Sequence, residues 1–189
     1  MKKLKIISST VRPGRKGPLV AQWVAEQAKK HSNFEIEVID LGELNLPMMN
    51  EPNHPSKKDY TLEHTKLWSS KIEEADAFIF VTAEYNHNFP APLHNALEYL
   101  VHEWRFKAAG IVSYGGISAG TRAANALKTA LATMKMIPLG EAVNFPRFEQ
   151  NIDENGVFQG NEISVKAAGT MFKQITRWTK GLKEIEKDV

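Results

Sequence analysis

Short apolar segments and amphipathic segments alternate along the whole chain. The apolar or alternating segments predict five strands, near residues 3–8, 34–41, 77–82, 108–113 and 136–143. Apolar residues that recur every three to four positions predict five helices, one beginning near Gly17 and four covering about 59–74, 92–104, 119–134 and 162–186. Because strands alternate with helices, we expect an α/β fold in which helices cover both faces of a parallel sheet.

The strand patterns also indicate where individual strands lie in that sheet. Phe34, Ile36 and Val38 alternate with glutamates, so one face of the second strand is wet and the strand is expected at an edge. The segment 77–82 is continuously apolar and is therefore expected at the centre. The pattern predicts a three-layer, doubly wound sheet, in which ligands bind beyond the carboxyl ends of the strands.

Helix faces and one hairpin can be predicted in more detail. The second helix is expected to bury Leu67, Trp68, Ile72 and Ala75. The last helix is expected to bury Ala168, Met171, Phe172, Ile175, Trp178 and Leu182. Residues 144–161 are rich in turn formers, and the sequence Asp-Glu-Asn-Gly at 153–156 predicts a hairpin tip.

Composition excludes several classes of protein. The 189 residues include 24 Lys and Arg against 22 Asp and Glu, and a net charge of +2 is too small to imply a nucleic-acid partner. There is no cysteine, which excludes disulfides and thiolate chemistry and fits a reducing cytoplasm. Residues 1–8 are interpreted as a strand rather than a signal peptide, and the longest apolar run is too short to cross a bilayer. We expect one cytoplasmic domain, residues 1–189, with no membrane partner.

The first loop, residues 8–18, follows the first strand and leads into the first helix. It combines hydroxyls, backbone N–H groups and a helix N-terminus, which suits a phosphate group. Its cations are Arg12, Arg15 and Lys16. It matches neither a Walker A loop nor a G-x-G-x-x-G fingerprint, because Lys16 precedes Gly17 and only two glycines are present. The loop predicts a site for a terminal phosphate monoester; the alternative is a solvated basic turn without a ligand.

Two more loops follow the third and fourth strands. In the second loop, residues 83–89, Tyr85 and Phe89 offer flat apolar surface and Asn86 offers hydrogen bonds, as a planar heterocycle requires. The alternative is a helix-entry turn with both aromatic rings in the core. In the third loop, residues 113–116, Gly115 and Gly116 let backbone N–H groups approach a ligand closely. The alternative is a glycine-rich turn required only for tight packing.

Three motifs carry a resemblance to a known family. They are Thr10-Val11-Arg12-Pro13-Gly14, then Ala83-Glu84-Tyr85-Asn86 with Pro90-Ala91-Pro92-Leu93-His94-Asn95-Ala96-Leu97, and Ser113-Tyr114-Gly115-Gly116. Together they resemble the NAD(P)H-dependent FMN reductase family of the flavodoxin-like fold, which includes quinone, azo-dye and metal-ion reductases. The resemblance extends over essentially the whole chain and implies a sheet with strand order 2-1-3-4-5.

The resemblance also implies which residues hold FMN. The phosphate would be held by Thr10, Arg12, Arg15, Lys16, Gly17, Pro18 and Leu19. The isoalloxazine ring would be lined by Ala83, Glu84, Tyr85 and Asn86, and its pyrimidine side would be closed by Ser113, Gly115 and Gly116. The sequence departs from the family pattern at four positions, with Ser9 for Gly, Arg15 for Ser, Ala83 for Pro and His94 for Lys. Arg15 would supply charge in place of the serine hydroxyl.

The implied activity is a ping-pong transfer of hydride from NAD(P)H, through bound FMN, to a quinone-like or other small acceptor. The cofactor carries this chemistry, so no catalytic side chain is expected, and Tyr85 is a candidate for stacking the acceptor. The family resemblance also implies a homodimer or homotetramer. A second argument for an assembly is that the second and third helices and their flanks carry more aromatic surface than their packing within one chain requires. The residues are Trp68, Phe89, Tyr99 and Trp104. The alternative is that all four lie in the core.

Two other classes of function fit parts of the sequence. A flavodoxin-like electron carrier would bind FMN without oxidising NAD(P)H itself. Such carriers dock on basic partners through an acidic surface, which the slight positive charge of this chain does not favour. A metal enzyme would use His87, His94 and His102, but their spacing completes no recognisable ligand motif. Surface or capping histidines are the favoured interpretation.

Overall fold

Five parallel strands form one sheet. The computed structural model describes residues 1–186, and the strands are β1 (Lys3–Ser8), β2 (Glu35–Asp40), β3 (Ala77–Ala83), β4 (Ala108–Tyr114) and β5 (Ile137–Phe145). Their order is β2-β1-β3-β4-β5, and each adjacent pair is parallel. The predicted doubly wound, flavodoxin-like order is therefore confirmed.

Helices connect the strands. They are α1 (Gly17–His31), α2 (Leu41–Leu44), α3 (Glu63–Glu73), α4 (Ala91–Glu98), α5 (Thr121–Thr133) and α6 (Glu162–Glu186). The short α2 was not predicted. The predicted helix 59–74 begins only at Glu63, because the carboxylate of Glu51 binds the N–H groups of Thr61 and Leu62 just before it. The predicted helix 92–104 ends at Glu98, and the residues that follow form turns.

The sheet is buried on both faces, which gives three layers. On one face, α1 and α6 pack over alternate strand residues such as Ile6 and Val112. On the other face, α3, α4 and α5 pack over Ile7, Phe78 and Phe80. Every residue of β3 is buried, whereas β2 is buried only in part, as expected for a central and an edge strand.

Two helix faces differ from the prediction. Leu67 is 54% exposed and Trp178 is 45% exposed, although both were predicted to be buried. In α6, the buried stripe runs from Ile175 to Thr179 and Leu182, one residue past Trp178. Thr179 is tolerated there because its hydroxyl donates to the carbonyl of Ile175 at 2.7 Å. Among the helices described, none combines the length and the apolar character that a membrane span needs.

The predicted hairpin tip is confirmed. Ile152 and Phe158 form an antiparallel bridge, and the N–H of Asp153 donates to the carbonyl of Val157 at 2.9 Å. Gly156 has φ +77°, a left-handed conformation that glycine adopts without strain.

The aromatic argument for an assembly is wrong. Trp68, Tyr99 and Trp104 are completely buried within one chain, and Phe89 is 6% exposed. Trp68 and Trp104 contact edge to face at 5.9 Å between ring centroids, and the indole N–H of Trp68 donates to the carbonyl of Ala96 at 2.8 Å. These rings are part of the core, so they provide no surface for a partner. The oligomeric state stays a prediction that rests on the family resemblance.

Candidate functional site

The three loops predicted from the sequence meet in one cleft. The strands β1, β3 and β4 are neighbours in the sheet, so their carboxyl ends bring the loops together, as expected for this type of fold. The cleft is lined by Thr10, Arg12, Arg15, Lys16, Ala83, Glu84, Tyr85, Tyr114, Gly115 and Phe148.

The helix α1 starts directly after Lys16, which lines the cleft, whereas Gly17, Pro18 and Leu19 lie behind the lining residues. The helix begins at the buried Gly17, has Pro18 in its first turn, and Leu19 packs partly against the core. Within residues 1–186, no side chain caps this helix and no acidic residue lies in its first turn. The first N–H groups of a helix carry partial positive charge. Pro18 has no N–H and that of Leu19 donates to the carbonyl of Lys16 at 3.1 Å, so Gly17 provides the N–H for a ligand. The start of α1 therefore suits an anionic ligand.

Hydroxyl groups surround the start of α1. The buried hydroxyl of Ser8 has no hydrogen-bond partner in the described part of the chain, and Thr10 Oγ1 lies 3.3 Å from the hydroxyl of Tyr114. A Cβ atom on Gly17 would lie 2.4 Å from Thr10 Oγ1 and 2.9 Å from the hydroxyls of Ser8 and Tyr114. Buried hydroxyls without partners are costly. A phosphate monoester such as that of FMN would accept their hydrogen bonds, so this cradle fits the group.

The three cations of the first loop differ in their surroundings. Arg12 and Lys16 are exposed at the rim. Arg15 Nη2 forms an ion pair with Asp40 Oδ2 at 2.7 Å, and the same carboxylate accepts the N–H of Gly42 at 2.8 Å. The charge of Arg15 is thus compensated by the end of β2, and its guanidinium fixes the first loop to that strand. Arg12 and Lys16 are the cations better placed to bind a phosphate dianion.

The second loop is a tight hairpin. The backbones of Tyr85 and Asn88 exchange two hydrogen bonds, of 2.9 and 3.0 Å. Asn86 and His87, between them, both have positive φ (51° and 65°), the geometry of a type I′ turn. Tyr85 is 38% exposed at the cleft and Asn86 is exposed, whereas Phe89 is buried. Only one of the two predicted aromatic surfaces is therefore available to a ligand.

Ala83 and Glu84 connect β3 to that hairpin. Ala83 is buried, so it offers little more than its backbone and one methyl group to the cleft. The Glu84 carboxylate accepts a hydrogen bond from Arg122 Nε at 2.5 Å. Burial raises the pKa of Glu84, but the hydrogen bonds from Arg122 outweigh burial and hold the pKa below its ordinary value. The carboxylate is therefore charged and already occupied by a protein partner.

The third loop is used largely within the protein. The hydroxyl of Ser113 lies 2.7 Å from a backbone carbonyl and 2.8 Å from Asn144 Oδ1, and Ser113 does not line the cleft. The N–H of Gly115 donates to the carbonyl of Phe145 at 3.2 Å, so it is not available to a ligand, contrary to expectation. A Cβ atom on Gly116 would meet no described atom within 4 Å, so the space beside it is open.

Two residues that line the cleft, Tyr114 and Phe148, were not among the predicted cofactor-binding residues. Tyr114 lies beneath the start of α1, and burial raises the pKa of its hydroxyl to about 12, so the hydroxyl keeps its proton at neutral pH. Phe148 packs edge-on against Tyr114 at 4.9 Å between centroids. Gly120 does not line the cleft, but it has φ +73°, and a Cβ atom there would lie 2.8 Å from the carbonyl oxygen of Tyr114. Tyr114 lies within the third motif of the sequence, whereas Phe148 lies outside all three motifs.

The histidines do not form a common site. His94 contacts Glu98 at 3.3 Å and His102 binds the carbonyl of Ser56 at 2.7 Å, while His87 is exposed in the hairpin. Over residues 1–186, no three His, Asp or Glu side chains are grouped so that they could hold a metal ion.

The fold is flavodoxin-like, with a cleft at the carboxyl ends of its central strands. Residues 2–150 match the family model described as NADPH-dependent FMN reductase. The chain belongs to this family of oxidoreductases, whose cofactor is FMN and whose co-substrate is NAD(P)H.

Individual relatives agree with that assignment. An NAD(P)H-dependent FMN reductase of Schizosaccharomyces pombe is 43% identical over 77% of this chain and 74% of the relative. One from Saccharomyces cerevisiae is 33% identical over 76% of this chain and 81% of the relative. Among solved structures, the flavoenzyme NAD(P)H:(acceptor) oxidoreductase FerB of Paracoccus denitrificans has a TM-score of 0.75 at 18% identity, covering 96% of this chain and 98% of FerB. The last comparison supports the fold.

Proposed function

We propose that this chain oxidises NAD(P)H through bound FMN and reduces a small quinone-like acceptor in the same cleft, by a ping-pong mechanism. The observation that carries the proposal is the cradle around Gly17, where the unpartnered hydroxyl of Ser8 and the hydroxyls of Thr10 and Tyr114 lie at an uncapped helix N-terminus. Bound FMN supplies the hydride transfer from the nicotinamide to the acceptor.

The protein residues bind and orient the cofactor and the substrates. The first loop would hold the phosphate, with Arg12 and Lys16 adding charge at the rim. Tyr85 has an exposed ring beside the cleft, which suits a flat acceptor that stacks on an aromatic surface. Relatives named NADPH azoreductase and NAD(P)H:quinone oxidoreductase, at 31% and 34% identity, support a small aromatic acceptor for this chain as well.

The first prediction is that the purified protein binds FMN and oxidises NADPH or NADH when a quinone is added. Double-reciprocal plots at several quinone concentrations should give parallel lines, because the oxidised nucleotide, NAD(P)+, leaves before the quinone enters. A protein that takes up FMN but oxidises no nicotinamide would be an electron carrier instead. A protein that takes up no FMN would refute the proposal altogether.

We also propose a homodimer or homotetramer. An apolar groove between α4 and α5, just after the second loop, supports this state; it is lined in part by Leu97, Val101, Ala130 and Met134. Light scattering should give two or four times the chain mass of 21.2 kDa, and Ala130→Glu should lower it because a charge would enter the apolar contact. A mass of one chain for the unsubstituted protein at micromolar concentration would exclude the assembly.

A further inference from the structure

The helix α5 begins without a cap of its own. Gly120 occupies the N-cap position in the left-handed conformation, and a glycine has no side chain that could cap the helix. In the part of the chain that the structure describes, this position makes no capping hydrogen bond, and the first turn of α5 contains no acidic residue. An N-cap side chain ordinarily accepts the N–H of the second or third helical residue, here Arg122 and Ala123.

Glu84 of the second loop takes the place of that cap. Its Oε2 accepts the backbone N–H of Arg122 at 3.3 Å, and its Oε1 accepts Arg122 Nε at 2.5 Å. Arg122 Nη2 also pairs with this carboxylate and donates to Ser118 Oγ at 2.9 Å. The side chain of Glu84 is 8% exposed. One carboxylate thus joins the second loop to the start of α5 across 38 positions of sequence.

We infer that Glu84 is a positioning residue that also sets the balance between oxidised and reduced FMN. Its carboxylate holds the hairpin of Tyr85 against α5 and cancels the charge of Arg122 beside the cleft. The inference rests on the proposed flavin site, because Ala83, Glu84 and Tyr85 all line that cleft. Reduction adds negative charge to the flavin, so a nearby uncompensated charge changes the affinity for the reduced form more than for the oxidised form.

Two substitutions separate this electrostatic role from a purely structural one. Glu84→Gln leaves an amide oxygen for the N–H of Arg122 but leaves the guanidinium uncompensated. It should favour reduced over oxidised FMN by about fivefold, equal to about +20 mV in the two-electron midpoint potential. Arg122→Gln leaves the carboxylate uncompensated and should shift the ratio by a similar factor in the opposite direction. The double variant should lie within twofold of the unsubstituted protein.

Asp76 provides a matched control. Asp76 lies immediately before β3, whereas Glu84 lies immediately after it. The carboxylate of Asp76 pairs with Lys183 and accepts the N–H of Lys3 at 2.6 Å. β3 has seven residues and spans roughly 20 Å, which exceeds the Debye length of about 8–10 Å in physiological salt. Asp76→Asn should therefore lower the melting temperature without changing the midpoint potential of bound FMN.

The outcomes test the flavin site and the role of Glu84 separately. If the unsubstituted protein binds no FMN, the proposed function fails. If FMN binds but both single variants shift the potential in the same direction, or leave it unchanged, the role of Glu84 is overturned while the flavin site stands. If Glu84→Gln fails to fold, two variants of Arg122 test the role of Glu84 instead. Arg122→Gln must lower the midpoint potential, and the conservative Arg122→Lys must keep it at the value of the unsubstituted protein. In the FMN-free protein, Glu84→Ala should melt at a lower temperature than Glu84→Gln, because alanine accepts no hydrogen bond.

Discussion

Replacing Gly17 with alanine is expected to weaken FMN binding by about 100-fold or more. The new methyl group would lie 2.4 Å from Thr10 Oγ1 and 2.9 Å from the hydroxyls of Ser8 and Tyr114, so these groups must move away from the start of α1. Losing two charge-assisted hydrogen bonds of about 1.5 kcal/mol each accounts for a factor of this size. The fold itself should lose only about 1–3 kcal/mol, because the atoms displaced are the ends of side chains.

Titration of FMN against riboflavin measures this effect directly. Riboflavin lacks the phosphate, so the unsubstituted protein should strongly prefer FMN, and Gly17→Ala should remove most of that preference. Gly140→Ala is the control, since a methyl group there meets no described atom within 4 Å. If the Gly17 variant kept both its fold and its preference for FMN, the phosphate would have to bind elsewhere.

Trp68→Ala is expected to lower the free energy of unfolding by about 3–5 kcal/mol. The side chain is completely buried and packs against Trp104, so its loss removes apolar contact and leaves a cavity. It also leaves the carbonyl of Ala96 without its indole donor. Urea unfolding, with protein concentration held constant, measures the change.

The exposed Trp178 on α6 gives the matched comparison. Trp178→Ala removes the same side chain from a position that is 45% exposed and should cost about 1 kcal/mol or less. The opposite ranking of the two variants would contradict the assignment of Trp68 to the core. A concentration-dependent loss of stability in Trp68→Ala alone would indicate that this ring contacts a second subunit after all.

The periodicity of apolar residues predicts the sheet well, because the pattern of each strand depends mainly on which of its faces are buried. The continuously apolar segment 77–82 must be buried on both faces, and the alternating segment 34–41 can be wet on one face, which places the first centrally and the second at an edge. The loops after β1, β3 and β4 then meet because parallel strands end at the same edge. The general location of the site therefore follows from local patterns.

The contacts inside the site do not follow from such patterns. Arg15 pairs with Asp40 and Glu84 pairs with Arg122, and each partner lies 25 or more positions away along the chain. Tyr114 is the last residue of β4 and shares a face with Val112, but Phe148 reaches the cleft from beyond β5, where the sequence contains no periodic signal. On α6, Thr179 is buried where Trp178 was predicted to be. Which of the two neighbouring side chains is buried depends on the space that the elements packed against α6 leave.

The buried, unpartnered hydroxyl of Ser8 beside Gly17 has a consequence for the abundance of the protein in a cell. A ligand that binds only the folded chain, at 100 times its dissociation constant, stabilises the fold by about 2.7 kcal/mol and reduces the unfolded fraction about 100-fold. Proteases act mainly on unfolded chains. Vitamin B2 supply would thus govern how long each copy survives, and a shortage would deplete the polypeptide together with its activity.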